Sequence, residues 1–162
     1  MNRRPAGAFV GGVFFASLQF CYFVQLESQL SSAWTTYAAV GLSWMAGILA
    51  GLLFGTGGRR QEAILRWGSL ASYMLAWSML RLHPFDNRFL ALYAVCVLAS
   101  GAHAGCFFRS GASFPATPRS FLLHENNGFL VGMVLSLLGF SWNAGVFTFA
   151  APVALTFLLQ SF

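Results

Sequence analysis

Residues 34–60 read WTTYAAVGLSWMAGILAGLLFGTGGRR. From Trp34 to Phe54 there is no charged side chain, and the run then stops at Gly55-Thr56-Gly57-Gly58 and two arginines. About 20 apolar residues is the length an α-helix needs to cross the hydrocarbon core of a bilayer. Inside that core the backbone must satisfy its own hydrogen bonds, which leaves only helices and closed barrels. No alternating barrel pattern is present, so residues 34–54 are expected to form a transmembrane helix closed by a cationic loop. The same reading extends outward in both directions. Apolar runs cover 6–26, ending in Gln25-Leu26-Glu27-Ser28-Gln29, and 64–82, ending in His83-Pro84-Phe85-Asp86-Asn87. A fourth run, 89–108, ends at Arg109 before a Ser-, Pro- and Thr-rich loop from Ser110 to Ser120. The last two, 122–140 and 144–159, form a hairpin around Ser141-Trp142-Asn143. The expected fold is all-α and integral to the membrane, a six-transmembrane-helix bundle with residues 1–162 as a single membrane domain.

Composition agrees. Of 162 residues 57% are hydrophobic and 8% are charged, whereas a soluble domain carries roughly 25% charged residues to cover its surface. The mean hydropathy is +0.68. The net charge of +5 does not point to nucleic acid, because all nine basic residues are arginines set between apolar blocks rather than gathered on one face. Cys21, Cys96 and Cys106 each sit in an apolar run without CxxC spacing, which argues against a disulfide framework or zinc site and reads as small packing residues. Arg3 and Arg4 ahead of the first run resemble a signal peptide, but that run continues past Phe20 without a cleavage site, so a retained first helix is expected.

The arginines give an orientation. With the N-terminus inside, Arg3, Arg4, Arg59, Arg60, Arg66, Arg109 and Arg119 fall on inner segments, against Arg81 and Arg88 outside. That bias is the one the positive-inside rule expects, and six spans place both termini in the cytoplasm of a bacterial-type inner membrane. Trp34, Trp67 and Trp142 fall at span ends, where aromatic belts belong.

The segment Gly51-Leu52-Leu53-Phe54-Gly55-Thr56-Gly57-Gly58-Arg59-Arg60 resembles the signature loop of the major facilitator superfamily, G-x-L-x-D-R-x-G-R-R. Gly51, Leu53, Gly58, Arg59 and Arg60 match, while Gly55 and Thr56 stand where the family has Asp and Arg. Three further stretches resemble the major-facilitator-like membrane region fused to spermidine-synthase-type domains. They are Thr35-Thr36-Tyr37 leading into Gly47-Ile48-Leu49-Ala50-Gly51, Gly101-Ala102-His103-Ala104-Gly105-Cys106-Phe107-Phe108, and Glu125-Asn126-Asn127-Gly128 followed by Gly132. The resemblance implies one six-helix half of a facilitator fold, whose full form has two halves around a central path. No synthase domain accompanies it, and the missing Asp removes a charge that in the family helps hold the cytoplasmic gate.

Gly47, Gly51 and Gly55 form a four-residue ladder on the second helix, repeated by Gly101 and Gly105 on the fourth and by Gly128 and Gly132 on the fifth. Small residues at this spacing let helix backbones approach closely, either within the chain or against a partner subunit. Ionisable groups at membrane depth are candidate functional positions because their insertion is costly. His103, flanked by Cys96, Ala99 and Cys106 on its side of the helix, reads either as an axial ligand to a haem or (bacterio)chlorophyll or as a donor to a neighbouring carbonyl. His124 is a second candidate ligand. With Glu125, Asn126 and Asn127 it forms the densest polar cluster, which suits helix capping and headgroup contact or a site for a quinone head, a cation or a partner loop. Glu27 reads as a solvated helix end or a cation site, and Gln19 as interhelical glue.

No Ser-His-Asp, paired-carboxylate or metal-ligand spacing occurs, so an enzyme is not expected. Two functions remain open. One is a non-catalytic subunit packed within a larger membrane complex, of the respiratory or photosynthetic electron-transfer kind. The other is a half-size facilitator-like transporter of a small solute or ion acting as a dimer. The expected partners are membrane lipids, which include bound lipid, and other membrane subunits or a second copy, with no nucleic acid.

Overall fold

The computed structural model describes residues 3–30, 33–112 and 118–162, and every element among them is helical. Helix α1 spans Arg3–Gln29, α2 Ala33–Phe54, α3 Arg59–Leu82, α4 Leu90–Ala112 and α5 Pro118–Gln160, with one turn of 3-10 helix at Asn87–Phe89 ahead of α4. Part of the expected Ser110–Ser120 loop, 113–117, lies outside the described residues, as do the side chains of Arg3, Arg4 and Arg59.

Four stretches are long and apolar enough to cross a membrane: Pro5–Gln29, Trp34–Phe54, Asn87–Gly111 and Arg119–Gln160. Helix α3 is long enough but less apolar, because Arg60, Gln61 and Glu62 lie inside it rather than in a loop before it, ahead of Arg66. It starts at Arg59, ahead of the expected 64. The last two expected helices are the two legs of α5, which break at a single residue inside the expected 141–143 turn. Asn143 leaves the helical region at φ −154°, ψ 93°, and its Oδ1 accepts from the Val146 amide at 3.0 Å. The side chain thus caps the helical leg that follows. Losing such a cap costs about 1 kcal/mol. Asn143→Ala is therefore expected to lower the midpoint of detergent-titrated unfolding by that amount, and Asn143→Asp to keep most of it.

The chain forms two compact units, residues 1–21 with 110–162, and residues 22–109. In the first, α1 and the opening leg of α5 run parallel through small-residue contacts. A Cβ at Gly12 would strike the Glu125 carbonyl, one at Gly128 the Phe9 carbonyl, and one at Gly132 the backbone of Val13. Further along, Ser136 Oγ donates to Ser17 Oγ at 3.0 Å, and the Phe20 and Phe140 rings meet edge to face at 5.8 Å. The second leg folds back. Gly139 leaves room for the Phe147 ring, and Phe162 returns to Gly7 beside the start of α1. Hydroxyls within α5 donate to carbonyls one turn back, Ser141 to Leu137, Thr148 to Ala144 and Thr156 to Pro152, which keeps them satisfied on an apolar helix.

In the second unit, α2 and α4 run parallel with their glycines in register. A Cβ at Gly47 would fall under 3.0 Å from Leu98 O, Ala102 N and Gly101 Cα, and one at Gly51 from Ala102 O, Cys106 N and Gly105 Cα. Reciprocally, Gly101 meets the Trp44 carbonyl and Gly105 the Ile48 carbonyl. Gly55 closes the series against its own helix end, near Cys106 and Arg109. Helix α3 packs antiparallel to α4, pairing Gln61 with Cys106 and Ser69 with Ser100.

Candidate functional site

Polar side chains collect inside the second unit in a column along α3 and α4. Helix α3 contributes Gln61, Glu62, Arg66, Ser69 and Tyr73, spaced so that most fall three or four residues apart and share one face. Helix α4 contributes Tyr93, Cys96, Ser100 and His103 at the same spacing, none more than 3% exposed. The end of α1 adds Tyr22, whose hydroxyl donates to the Cys96 carbonyl at 3.2 Å and pairs with Ser100 Oγ at 3.0 Å. Ser100 Oγ in turn reaches the Ser69 carbonyl at 3.4 Å. The Tyr22 ring stands edge-on to Tyr73 at 5.0 Å, which fixes the hydroxyl in place.

The charges lie one to two turns further along α3. Arg66 Nη2 is 3.5 Å from Glu62 Oε1, with the two side chains 12% and 20% exposed. The Glu-before-Arg order at i, i+4 is the favourable one on a helix. Arg66 stands one turn before Ser69 on this face of α3. Its Nε is buried without a hydrogen-bond partner among the described residues, as are Ser69 Oγ and Tyr93 Oη. Each such atom costs about 1–3 kcal/mol. A chain that carries several of them beside an ion pair is holding polar chemistry in an otherwise apolar interior. At the end of the column, Gln61 Oε1 accepts from Thr56 Oγ1 at 2.7 Å and from Cys106 Sγ at 3.7 Å. Arg109 Nη1 donates to the Leu52 and Leu53 carbonyls, satisfying the last turn of α2.

The predicted site residues divide between the two units. His103 is in the column and wholly buried. His124 is in the first unit, half-buried, with Nδ1 2.7 Å from the Ser120 carbonyl. Glu125 is buried on the α1-facing side of α5, while Asn126 and Asn127 are exposed. Neither asparagine caps a helix, since α5 begins at Pro118 and already runs through them. Glu27 is exposed near the end of α1, and Gln19 is half-buried. A haem or (bacterio)chlorophyll does not fit His103 as it is packed. An axial ligand needs a ring nitrogen open to the metal of a macrocycle, and His103 has no exposed surface at all.

Sequence reading missed Glu62, Arg66, Ser69, Ser100 and Tyr22. Arg66 is counted on an inner segment in the orientation argument, and it lies two turns inside α3, which leaves six other arginines in that inner set. The signal was present: 62, 66, 69 and 73 repeat at helical spacing, and so do 93, 96, 100 and 103.

No protein-family model matches the chain, and neither a curated protein nor a solved structure does.

Proposed function

We propose that the protein is an integral membrane protein of six crossings that moves a small ion or solute, a half-size transporter built on facilitator-like lines. The polar column of the second unit carries this reading. Ser69, Ser100, His103 and Tyr22 are buried together inside mostly apolar helices, with the partly buried Glu62–Arg66 pair on the same face of α3. Inserting such groups is costly, and ionisable side chains at membrane depth mark pathways and relays. Because Ser69, Ser100 and His103 are wholly enclosed, the transported species is small and its passage requires the helices to move apart. The six-crossing count rests on the return of α5 at Asn143 and on α3, whose arginines gather at one end. With the six inner arginines against two, both termini are cytoplasmic. A lone half needs a second copy to complete a path between halves.

A second reading is a non-catalytic subunit of a larger membrane complex. It is favoured by α2 and α5, of which only 22% and 11% of the apolar windows are buried within the chain. Those surfaces suit another subunit as well as lipid. One experiment separates the readings. Purified in mild detergent, the transporter is expected as a homo-oligomer that dissipates an imposed ion or pH gradient in liposomes, and His103→Ala abolishes that flux while the protein stays folded. Stoichiometric co-purifying polypeptides with no flux would overturn it in favour of the subunit.

A further inference from the structure

On one side of the α5 turn lies a groove of about 540 Å³ that belongs entirely to the first unit. Its lining includes Val146, Phe147, Ala150, Ala151 and Ala154, none of which carries a polar side-chain atom. Polar atoms occur at one end only, where Trp142 stands 92% exposed beside Asn143. The volume equals about 18 water molecules at liquid density. A groove of that volume has room for a length of acyl chain. Its apolar walls offer water too few partners to stay. The polar end coincides with a helix turn bearing an exposed tryptophan, the arrangement found at the headgroup level of a bilayer.

We propose that this groove is a site for a single phospholipid, its acyl chain lying along Ala150–Ala154 and its polar end at Trp142 and Asn143. The proposal rests on the membrane reading above. A phospholipid is apolar along its length and polar at one end, as the lining of the groove is.

The test uses the full chain in phosphatidylcholine vesicles containing a rising fraction of phosphatidylcholine brominated near the headgroup end of its chains. The Trp142 signal is the difference between the native protein and Trp142→Phe. Trp34, 80% exposed and outside the groove, gives the bulk-lipid reference through Trp34→Phe. Trp142 is expected to reach half-maximal quenching at a several-fold lower fraction of brominated lipid than Trp34. Filling the groove with Ala150→Leu and Ala154→Leu should return Trp142 to the Trp34 curve. Identical curves in the native protein, or early quenching that persists in the filled groove, would overturn the site while leaving the membrane reading intact. Quenching of neither tryptophan would sink the membrane reading itself. Loss of early quenching at high protein density, with Trp142→Cys cross-linking between copies, would assign the groove to a second copy instead.

Discussion

Gly51→Leu is expected to destabilise the protein by about 3 kcal/mol, the upper end of what overpacking costs. The reason lies in what the new side chain meets. Around Gly51 the nearest atoms are Ala102 O, Cys106 N and Gly105 Cα, all backbone, and a Cβ falls under 3.0 Å from each. A flexible side chain could rotate away, but the α4 backbone moves only by moving the helix. Gly47→Leu and Gly105→Leu meet the same obstacle from the two sides of one contact and should behave alike. Gly41 and Gly68 are the controls, since a Cβ at either meets nothing within 4 Å. There the sign reverses, because alanine outranks glycine in a helix by up to about 1 kcal/mol. Unfolding followed by tryptophan fluorescence as sodium dodecyl sulfate is titrated into dodecylmaltoside micelles measures all five. A native midpoint for Gly51→Leu would mean that α2 and α4 do not meet through their glycines.

That contact illustrates what the sequence made legible. Ladders such as Gly47-Gly51 and Gly101-Gly105 announce a close approach of helices, because only missing side chains permit it. They do not announce which helices meet, and the pairing of α2 with α4 and of α1 with α5 comes from the tertiary structure. Apolar runs were equally plain for α1, α2 and α4, whose hydropathy is continuous. Helix α3 was harder to bound. Its first two turns are as polar as a loop, and only the spacing of Glu62, Arg66 and Ser69 marks them as helical. The break at Asn143 was legible as a turn. A single capping asparagine suffices to make it, so the two legs follow one another without a longer loop. The polar column escaped for a related reason. Serines and tyrosines scattered through apolar helices look incidental until the helices bring them to one face, and His103 drew notice only because histidine is conspicuous.

Whether that column is scaffold or pathway is decided by the Glu62–Arg66 pair. Glu62→Leu alone strands the Arg66 guanidinium, whose Nε already has no partner among the described residues. Breaking a fully buried pair from one side costs about 3–5 kcal/mol. With the side chains 20% and 12% exposed, the lower end, about 3 kcal/mol, is expected. Arg66→Met alone strands the carboxylate and should cost a similar amount. The double variant Glu62→Leu with Arg66→Met removes both charges and their desolvation together. Apolar residues of similar volume commonly replace a buried pair without loss, so its unfolding midpoint should return to the native value or exceed it. Flux through liposomes should not return with it, because the double variant has a sound fold and an apolar block across the column. The two readouts therefore move apart only if the pair is kept for transport. A double variant as unstable as Glu62→Leu would make the pair a structural strut. One that is stable and still carries native flux would remove Glu62 and Arg66 from the path.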